Sequence, residues 1–185
     1  MAFAHVPEMT RAFVLPGYGD SGADHWQSLW QSADPRLERI RQRDWIHAKK
    51  DDWVRTLDGA LAASEGGIIL VAHSLGCLLV AHWALQGTHA ARVRGALLVA
   101  PPDPSAGTFP PEPRGFAPVP MRRLPFPGIV VASSDDPYGS LEFASSCARA
   151  WGCQFRNIGP AGHVNVATGH GPWPAGREML RELGV

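Results

Sequence analysis

Short, uninterrupted apolar runs constrain the fold of this chain more than any other feature of its sequence. The clearest runs lie at residues 68–72, 96–100 and 129–132, with a fourth at 12–15 and weaker candidates at 37–41 and 154–158. Apolar and polar residues do not alternate in the clearest runs, which is typical of β-strands covered on both faces, as in a parallel sheet. We therefore expect a buried parallel sheet of about six strands.

Amphipathic patterns predict helices between these strands. Ser21 followed by Asp24 is a capping-box pattern, and it predicts a helix that carries Trp26 and Trp30 on one face. Residues 75–85 are apolar nearly all round, which is typical of a central, buried helix. Further helices are predicted at 51–63, 141–151 and 177–183, the last ended by Gly184. The alternation predicts an α/β fold with right-handed crossovers and helices on both faces of the sheet.

Residues 101–127 interrupt this alternation. The segment contains ten prolines and shows neither helical nor strand periodicity. Because proline fixes φ, it lowers the entropy cost of ordering a loop. We predict a stiff surface excursion between two strands of the same sheet.

Length and charge exclude several functional classes. A chain of 185 residues fits one folded domain, which we place at residues 1–185. Lysine plus arginine (17) balance aspartate plus glutamate (17), so the formal net charge is zero. A nucleic-acid partner needs a basic surface, and this balance argues against one.

The sequence also predicts neither a membrane span nor a signal peptide. No apolar run approaches the ~18 residues that a membrane span needs, and residues 1–11 lack the apolar region of a signal peptide. The three cysteines lack the paired spacing of a zinc site and are an odd number for a disulfide framework. We therefore expect a cytoplasmic protein that binds no membrane and no metal.

The run Ala72-His73-Ser74-Leu75-Gly76 lies where a buried strand should end and a buried helix should begin. The sharp turn of a nucleophile elbow presents a serine away from its backbone, and small residues two before and two after the serine let the turn close. Gly76 meets that need, and Ala72 stands where glycine is usual. Neighbours on such a turn point apart, so we expect His73 to pack under the sheet. The alternative is that Ser74 only caps the helix.

Two later strand ends carry the residue types that a nucleophilic serine needs. Asp135 and Asp136 follow the strand at 129–132, and His163 follows the strand predicted at 154–158. In α/β enzymes the serine, the acid and the histidine of a triad occur in this order, at one edge of the sheet. The imidazole takes the serine proton, and the carboxylate orients the imidazole and stabilises the imidazolium. We choose Asp136 as the carboxylate, with Asp135 as its rival; each residue alone could instead belong to a turn.

Residues 17–22 spell GxGxxG between a strand and a helix, and Asp44 follows about where a ribose-binding acid would lie. This is the pattern of a dinucleotide site. In enzymes with a nucleophile elbow, the same loop instead donates a backbone N–H to the oxyanion, and glycines let it approach. We favour this second interpretation, with the N–H groups of Tyr18 and Leu75 as donors, because a nucleotide would compete for the same strand ends.

Several segments together resemble the small serine hydrolases of the retinoblastoma-binding-protein and YdeN type, a compact branch of the α/β-hydrolase superfamily. They include LPGYGDSGADHWQSLW (15–30), VAHSLGCL (71–78), LPFPGIVVASSDDPYGSLEFA (124–144) and AGHVNVATGHGPWPAG (161–176). The resemblance implies a compact α/β-hydrolase fold without a cap domain and a triad of Ser74, Asp136 and His163. It favours Asp136 because the family's acid directly precedes the proline, and it implies no metal.

We expect a serine hydrolase that cleaves a small carboxylic ester or related acyl compound through an acyl-enzyme on Ser74, with no cofactor. The site should be shallow, because the chain has no insertion large enough for a lid. His25 and Trp173 are possible pocket residues, although a turn histidine and a surface-packing tryptophan would give the same pattern. The alternatives are a non-catalytic protein-binding module, whose partner the sequence does not identify, and a nucleotide-dependent oxidoreductase.

Overall fold

In the computed structural model, which describes residues 10–184, six parallel strands form one sheet. The strands, numbered in chain order, are β1 (Arg11–Leu15), β2 (Leu37–Arg39), β3 (Ile68–His73), β4 (Val93–Val99), β5 (Gly128–Ala132) and β6 (Gln154–Asn157). Their order across the sheet is β2-β1-β3-β4-β5-β6, and every neighbouring pair is parallel. Each strand overlaps one of the six predicted runs, so the predicted α/β fold is confirmed.

In the described part of the chain, five α-helices cover the two faces of this sheet. They are α1 (Trp26–Ala33), α2 (Lys50–Ala63), α3 (Leu75–Ala84), α4 (Leu141–Trp151) and α5 (Pro174–Glu182). One hydrophobic cluster includes residues of α2, α3 and α4, and a second includes residues of α1 and α5. Successive strand residues alternate between the two clusters: Leu70 belongs to the first, while Ile69 and Val71 belong to the second. Burial on both faces explains why these strands are apolar throughout.

Two helix starts differ from the predictions. The capping box at Ser21 and Asp24 is wrong, because α1 is capped by His25, whose Nδ1 accepts a hydrogen bond from the Gln27 N–H at 3.2 Å. Ser21 instead donates its hydroxyl to the Gln27 side chain. Helix α5 begins at Pro174 rather than at 177, because proline has the φ of a first helical residue and needs no N–H partner there.

The proline-rich segment 101–127 connects β4 to β5, which lie side by side in the sheet. It contains no helix or strand, in agreement with the prediction of an irregular excursion. Its second half is anchored in the core by Phe116, Leu124 and Phe126. Its first half lies over the loop that follows β5, where the Thr108 hydroxyl donates to the Pro137 carbonyl at 2.7 Å.

Among the helices of residues 10–184, none has the length and hydropathy needed to cross a membrane. The signal-peptide prediction concerns residues 1–11, most of which lie outside the described range.

Candidate active site

Ser74 lies on a strained turn between β3 and α3. Its backbone has φ 54° and ψ −125°, a left-handed conformation that is rare for a residue with a side chain. The turn can form only because its neighbours are small: a Cβ on Gly76 would clash with the Leu15 carbonyl oxygen, and one on Gly17 would lie 2.7 Å from the Ser74 Cβ. The extra methyl of Ala72 is accommodated in the core. The Ser74 side chain makes no capping bond to α3, so the helix-cap alternative does not describe it.

A continuous chain of hydrogen bonds joins Ser74, His163 and Asp136. Ser74 Oγ lies 2.9 Å from His163 Nε2, and His163 Nδ1 lies 2.9 Å from each carboxylate oxygen of Asp136. A carboxylate only accepts, so Nδ1 carries the proton and leaves Nε2 free to accept the serine hydroxyl. The Asp136 side chain is 2% exposed, so water screens its charge little. This arrangement can move the hydroxyl proton to the imidazole.

Asp135 points to the backbone of the histidine loop instead of the imidazole. Its Oδ1 accepts from the Ser133 hydroxyl at 2.6 Å and from the Gly162 N–H at 2.7 Å. These two hydrogen bonds stabilise the carboxylate and hold the pKa of Asp135 below its ordinary value. The two aspartates that the sequence left as rivals therefore make different contacts: Asp136 touches the His163 ring, and Asp135 holds the chain that carries it.

Tyr18 and Leu75 line the same cleft as Ser74. Within residues 10–184 neither of their backbone N–H groups has a hydrogen-bond acceptor, so both are free to donate. Gly17 brings the first loop against the elbow, where any side chain would collide with Ser74. The Tyr18 hydroxyl donates to Glu112 at 3.1 Å, which ties this loop to the proline-rich segment. Burial and the Glu112 carboxylate raise the pKa of the Tyr18 phenol.

A cleft of about 240 Å³ opens above Ser74. One wall comes from the proline-rich segment, and the rings of Tyr18 and Tyr138 add further apolar surface. The wall residues are Pro102, Phe109, Pro110 and Pro113. Within the described part of the chain, no lysine or arginine lines the cleft, and the Asp20 carboxylate at its rim is paired with Arg39 at 2.7 Å.

Sequence reasoning missed this wall because a segment without periodicity carries no pattern of contacts. Its length was the available signal, since a long irregular loop in a compact domain is commonly functional.

The two possible pocket residues have different positions. His25 is 6% exposed and lines the cleft, and its burial lowers its pKa to about 4. Trp173 is not among the lining residues. Its ring stacks on Trp30 with 5.8 Å between centroids and meets the edge of Trp26 at 5.2 Å. The pocket-wall expectation for Trp173 is therefore corrected: it packs between α1 and the start of α5.

The GxGxxG loop does not have the packing of a dinucleotide site. The third glycine of that fingerprint permits close packing of helix on strand, whereas a Cβ on Gly22 would meet nothing within 4 Å. The Asp44 carboxylate accepts the N–H groups of Ile46 and His47, so it closes its own turn. These contacts disfavour the nucleotide alternative.

Comparison with known proteins also favours a hydrolase over a nucleotide-binding protein. A family model described as serine hydrolase matches residues 12–182. A YdeN-like hydrolase from Pectobacterium atrosepticum is 34% identical, with a TM-score of 0.82, and the alignment covers 94% of this chain and 90% of that one. No curated protein matches the chain in sequence.

Two more distant structures share the fold. The ydeN gene product of Bacillus subtilis is 18% identical, with a TM-score of 0.71 and coverage of 95% of this chain and 98% of that one. An esterase from Rhodococcus is 17% identical, with a TM-score of 0.67 and coverage of 94% and 90%. At these identities the likeness concerns the fold alone.

Proposed function

Because this chain belongs to the serine hydrolase family, we propose that Ser74, His163 and Asp136 form its catalytic triad and that it cleaves small, uncharged carboxylic esters. The observation that carries the proposal is the chain of 2.9 Å hydrogen bonds from the Ser74 hydroxyl through His163 to Asp136. Three side chains from separate strand ends meet in the geometry that nucleophilic catalysis needs.

The first half of the reaction forms an acyl-enzyme. Ser74 Oγ attacks the ester carbonyl carbon as its proton passes to His163 Nε2, and the carbonyl oxygen becomes an oxyanion held by the N–H groups of Leu75 and Tyr18. The imidazolium is stabilised by the Asp136 carboxylate. It then gives its proton to the departing alkoxide as the ester C–O bond breaks.

The second half releases the acid. A water molecule gives its proton to His163 Nε2 and attacks the acyl carbon, and the same N–H groups hold the second oxyanion. When this intermediate collapses, the bond to Ser74 Oγ breaks and the serine recovers its proton from His163. The products are the free acid and the alcohol, and no other reactant is consumed.

The composition of the cleft supports the substrate class. Its walls are proline and aromatic rings, its only carboxylate at the rim within the described residues is paired with Arg39, and no lysine or arginine lines it there. A volume of about 240 Å³ suits a short acyl group and a small alcohol. The fold neighbour from Rhodococcus is an esterase, which agrees with this class.

We also propose where the enzyme acts and what it acts on. We place it in the cytoplasm as a single domain spanning residues 1–185, acting on a small acyl substrate without a cofactor, nucleic acid or membrane. Its cysteines are free in the structure, which agrees with a reducing compartment. Its formal net charge of zero agrees with a small-molecule partner.

Labelling with a fluorophosphonate tests the nucleophile. The wild-type protein should be labelled at Ser74, and Ser74→Ala should not react. Ser134→Ala is the matched control, because Ser134 is an exposed serine on the neighbouring loop, and it should react like the wild type. The wild type and Ser134→Ala should hydrolyse p-nitrophenyl acetate at similar rates, and Ser74→Ala should not hydrolyse it. An unlabelled wild type would favour the non-catalytic binding module, and a labelled Ser74→Ala would place the nucleophile elsewhere.

A further inference from the structure

His73, the last residue of β3, contacts the backbone of the residue proposed as the catalytic base. Its Nε2 lies 2.9 Å from the carbonyl oxygen of His163, and its side chain is buried. A carbonyl oxygen only accepts, so Nε2 must carry the proton of this ring. The two imidazole rings also pack together, with 4.9 Å between centroids. The expectation that His73 packs under the sheet is corrected: it is buried, but it lines the cleft and contacts His163, 90 residues away in the chain.

The loop that carries His163 belongs to no strand or regular α-helix, so no ladder of backbone bonds holds it. Two of its residues, Gly162 and Val164, have positive φ values of 53° and 49°. Side chains from other elements hold it instead: Asp135 accepts the Gly162 N–H, and the Trp26 indole donates to the Val164 carbonyl at 2.9 Å. The bond from His73 to the carbonyl of His163 lies between these two.

His73 and Ser74 are consecutive residues, and they contact residue 163 at two different points. His73 binds the main-chain carbonyl of His163, while the Ser74 hydroxyl meets Nε2 at the tip of the same side chain. The separation between nucleophile and base is therefore set by one short stretch of backbone at the elbow. A shift of about 1 Å in such a pair can lower a rate by about 100-fold.

We propose that His73 is a positioning residue, which holds the backbone of His163 so that its imidazole stays within hydrogen-bonding distance of Ser74. It also lines the cleft, but its hydrogen bond goes to the backbone of His163, and it acts through that residue. This inference rests on the proposed function, since it assigns the base the role given above.

Two substitutions at position 73 separate the hydrogen bond from the packing. His73→Phe keeps a ring of similar size but removes the donor. His73→Gln keeps an N–H at about the reach of Nε2. We expect His73→Phe to lower kcat for p-nitrophenyl acetate by about 10- to 100-fold with little change in KM. His73→Gln should stay within about threefold of the wild type.

The chain contains a matched control in His82. This histidine, in α3, is also buried, and its Nε2 donates to the Phe116 carbonyl at 3.0 Å, away from the cleft. His82→Phe removes the same kind of bond, so it should lower the Tm about as much as His73→Phe while leaving kcat unchanged. Equal losses of kcat in the two variants would overturn the proposal, as would a His73→Phe enzyme within twofold of the wild type.

A spectroscopic readout makes the test independent of turnover. The proton on His163 Nδ1, shared with Asp136, should give a sharp downfield NMR signal in the wild type and in His73→Gln, and a broadened one in His73→Phe. An unchanged signal in His73→Phe would refute the positioning role, even if the protein hydrolysed no ester. Failure of the proposed function would appear differently, as a wild-type protein that fluorophosphonate does not label. Should His73→Phe not fold, His73→Asn takes its place, because its amide is too short to reach the carbonyl; its signal should be broadened while His73→Gln keeps a sharp one.

Discussion

Replacing Asp136 with asparagine isolates the role of one buried carboxylate. Asp136 holds His163 Nδ1–H with both oxygens at 2.9 Å, and its side chain is 2% exposed. At an effective dielectric of about 20, unit charges about 4 Å apart attract by about 4 kcal/mol. This is about 10³-fold in rate if the imidazolium forms in the transition state. Asparagine can also donate to Nδ1, which moves the ring proton to Nε2 and blocks acceptance from Ser74. The same substitution in serine-protease triads lowers kcat by about 10⁴-fold. We therefore expect a loss of about 10³- to 10⁴-fold.

Asp135→Asn is the internal comparison, because the two aspartates are adjacent and have the same side chain. Asp135 accepts bonds from Ser133 and Gly162 and does not touch the imidazole. Its substitution weakens these two hydrogen bonds at an exposed carboxyl, so it should lower the Tm only slightly and kcat by less than about tenfold. The assay is kcat and KM for p-nitrophenyl acetate at pH 8, with thermal unfolding of each variant.

The two variants should therefore differ in kcat by at least about 100-fold. A kcat for Asp136→Asn above a tenth of the wild-type value would show that the carboxylate neither fixes the tautomer nor stabilises the imidazolium. A loss in Asp135→Asn equal to that in Asp136→Asn would show that the assignment of the acid from these distances is wrong.

Two further predictions concern the cleft and the histidine at its base. Phe109→Ala should lower kcat/KM for a butanoate ester about tenfold more than for the acetate ester, because the two extra methylenes each lose about 0.8 kcal/mol of burial. Met121→Ala is the control, since Met121 is exposed on the same segment, and it should leave kcat/KM for both esters unchanged. Equal losses on both esters in Phe109→Ala would show that Phe109 does not contact the acyl chain. The pKa of His25 is about 4 in the folded protein against an ordinary 6.5, so as pH falls the unfolded chain binds a proton at this histidine before the folded protein does. Protonation of the unfolded chain should therefore lower the free energy of unfolding below pH 6.5, by about 2 kcal/mol at pH 5. Urea titrations at pH 8 and pH 5 measure this loss, which should be smaller in His25→Asn because asparagine keeps the N-cap acceptor but does not titrate; identical losses would contradict it.

The strands could be predicted from the sequence because their burial leaves no choice of residue type. Each position between residues 68 and 72 faces one of two apolar clusters, so the run is apolar throughout. The start of α1 could not be predicted in this way. Its cap is the imidazole of His25, whereas sequence rules look for the short oxygen-bearing side chains that usually fill this position.

The candidate site also has one part that the sequence predicts and another that it does not. Ser74, Asp136 and His163 each follow a strand, so their common edge could be inferred from the chain order. The contact of His73 with the His163 carbonyl and the wall around Phe109 depend on how two loops fold back in space. No local pattern records that approach, because neither loop has a regular period. The choice between Asp135 and Asp136 needed the resemblance or the distances, since both follow the same strand.

The wall of the cleft is carried by one continuous stretch of chain that forms no part of the sheet. Its anchors, including Phe116 and Leu124, lie in the second half of the segment, while the cleft-facing residues lie between 102 and 113. Replacing residues 102–113 with those of a relative should therefore change the surface that faces the acyl group while keeping the elbow and the buried residues of both hydrophobic clusters. In a fold of this size, the substrate range could therefore change through substitutions at about a dozen loop positions, without the addition of a domain.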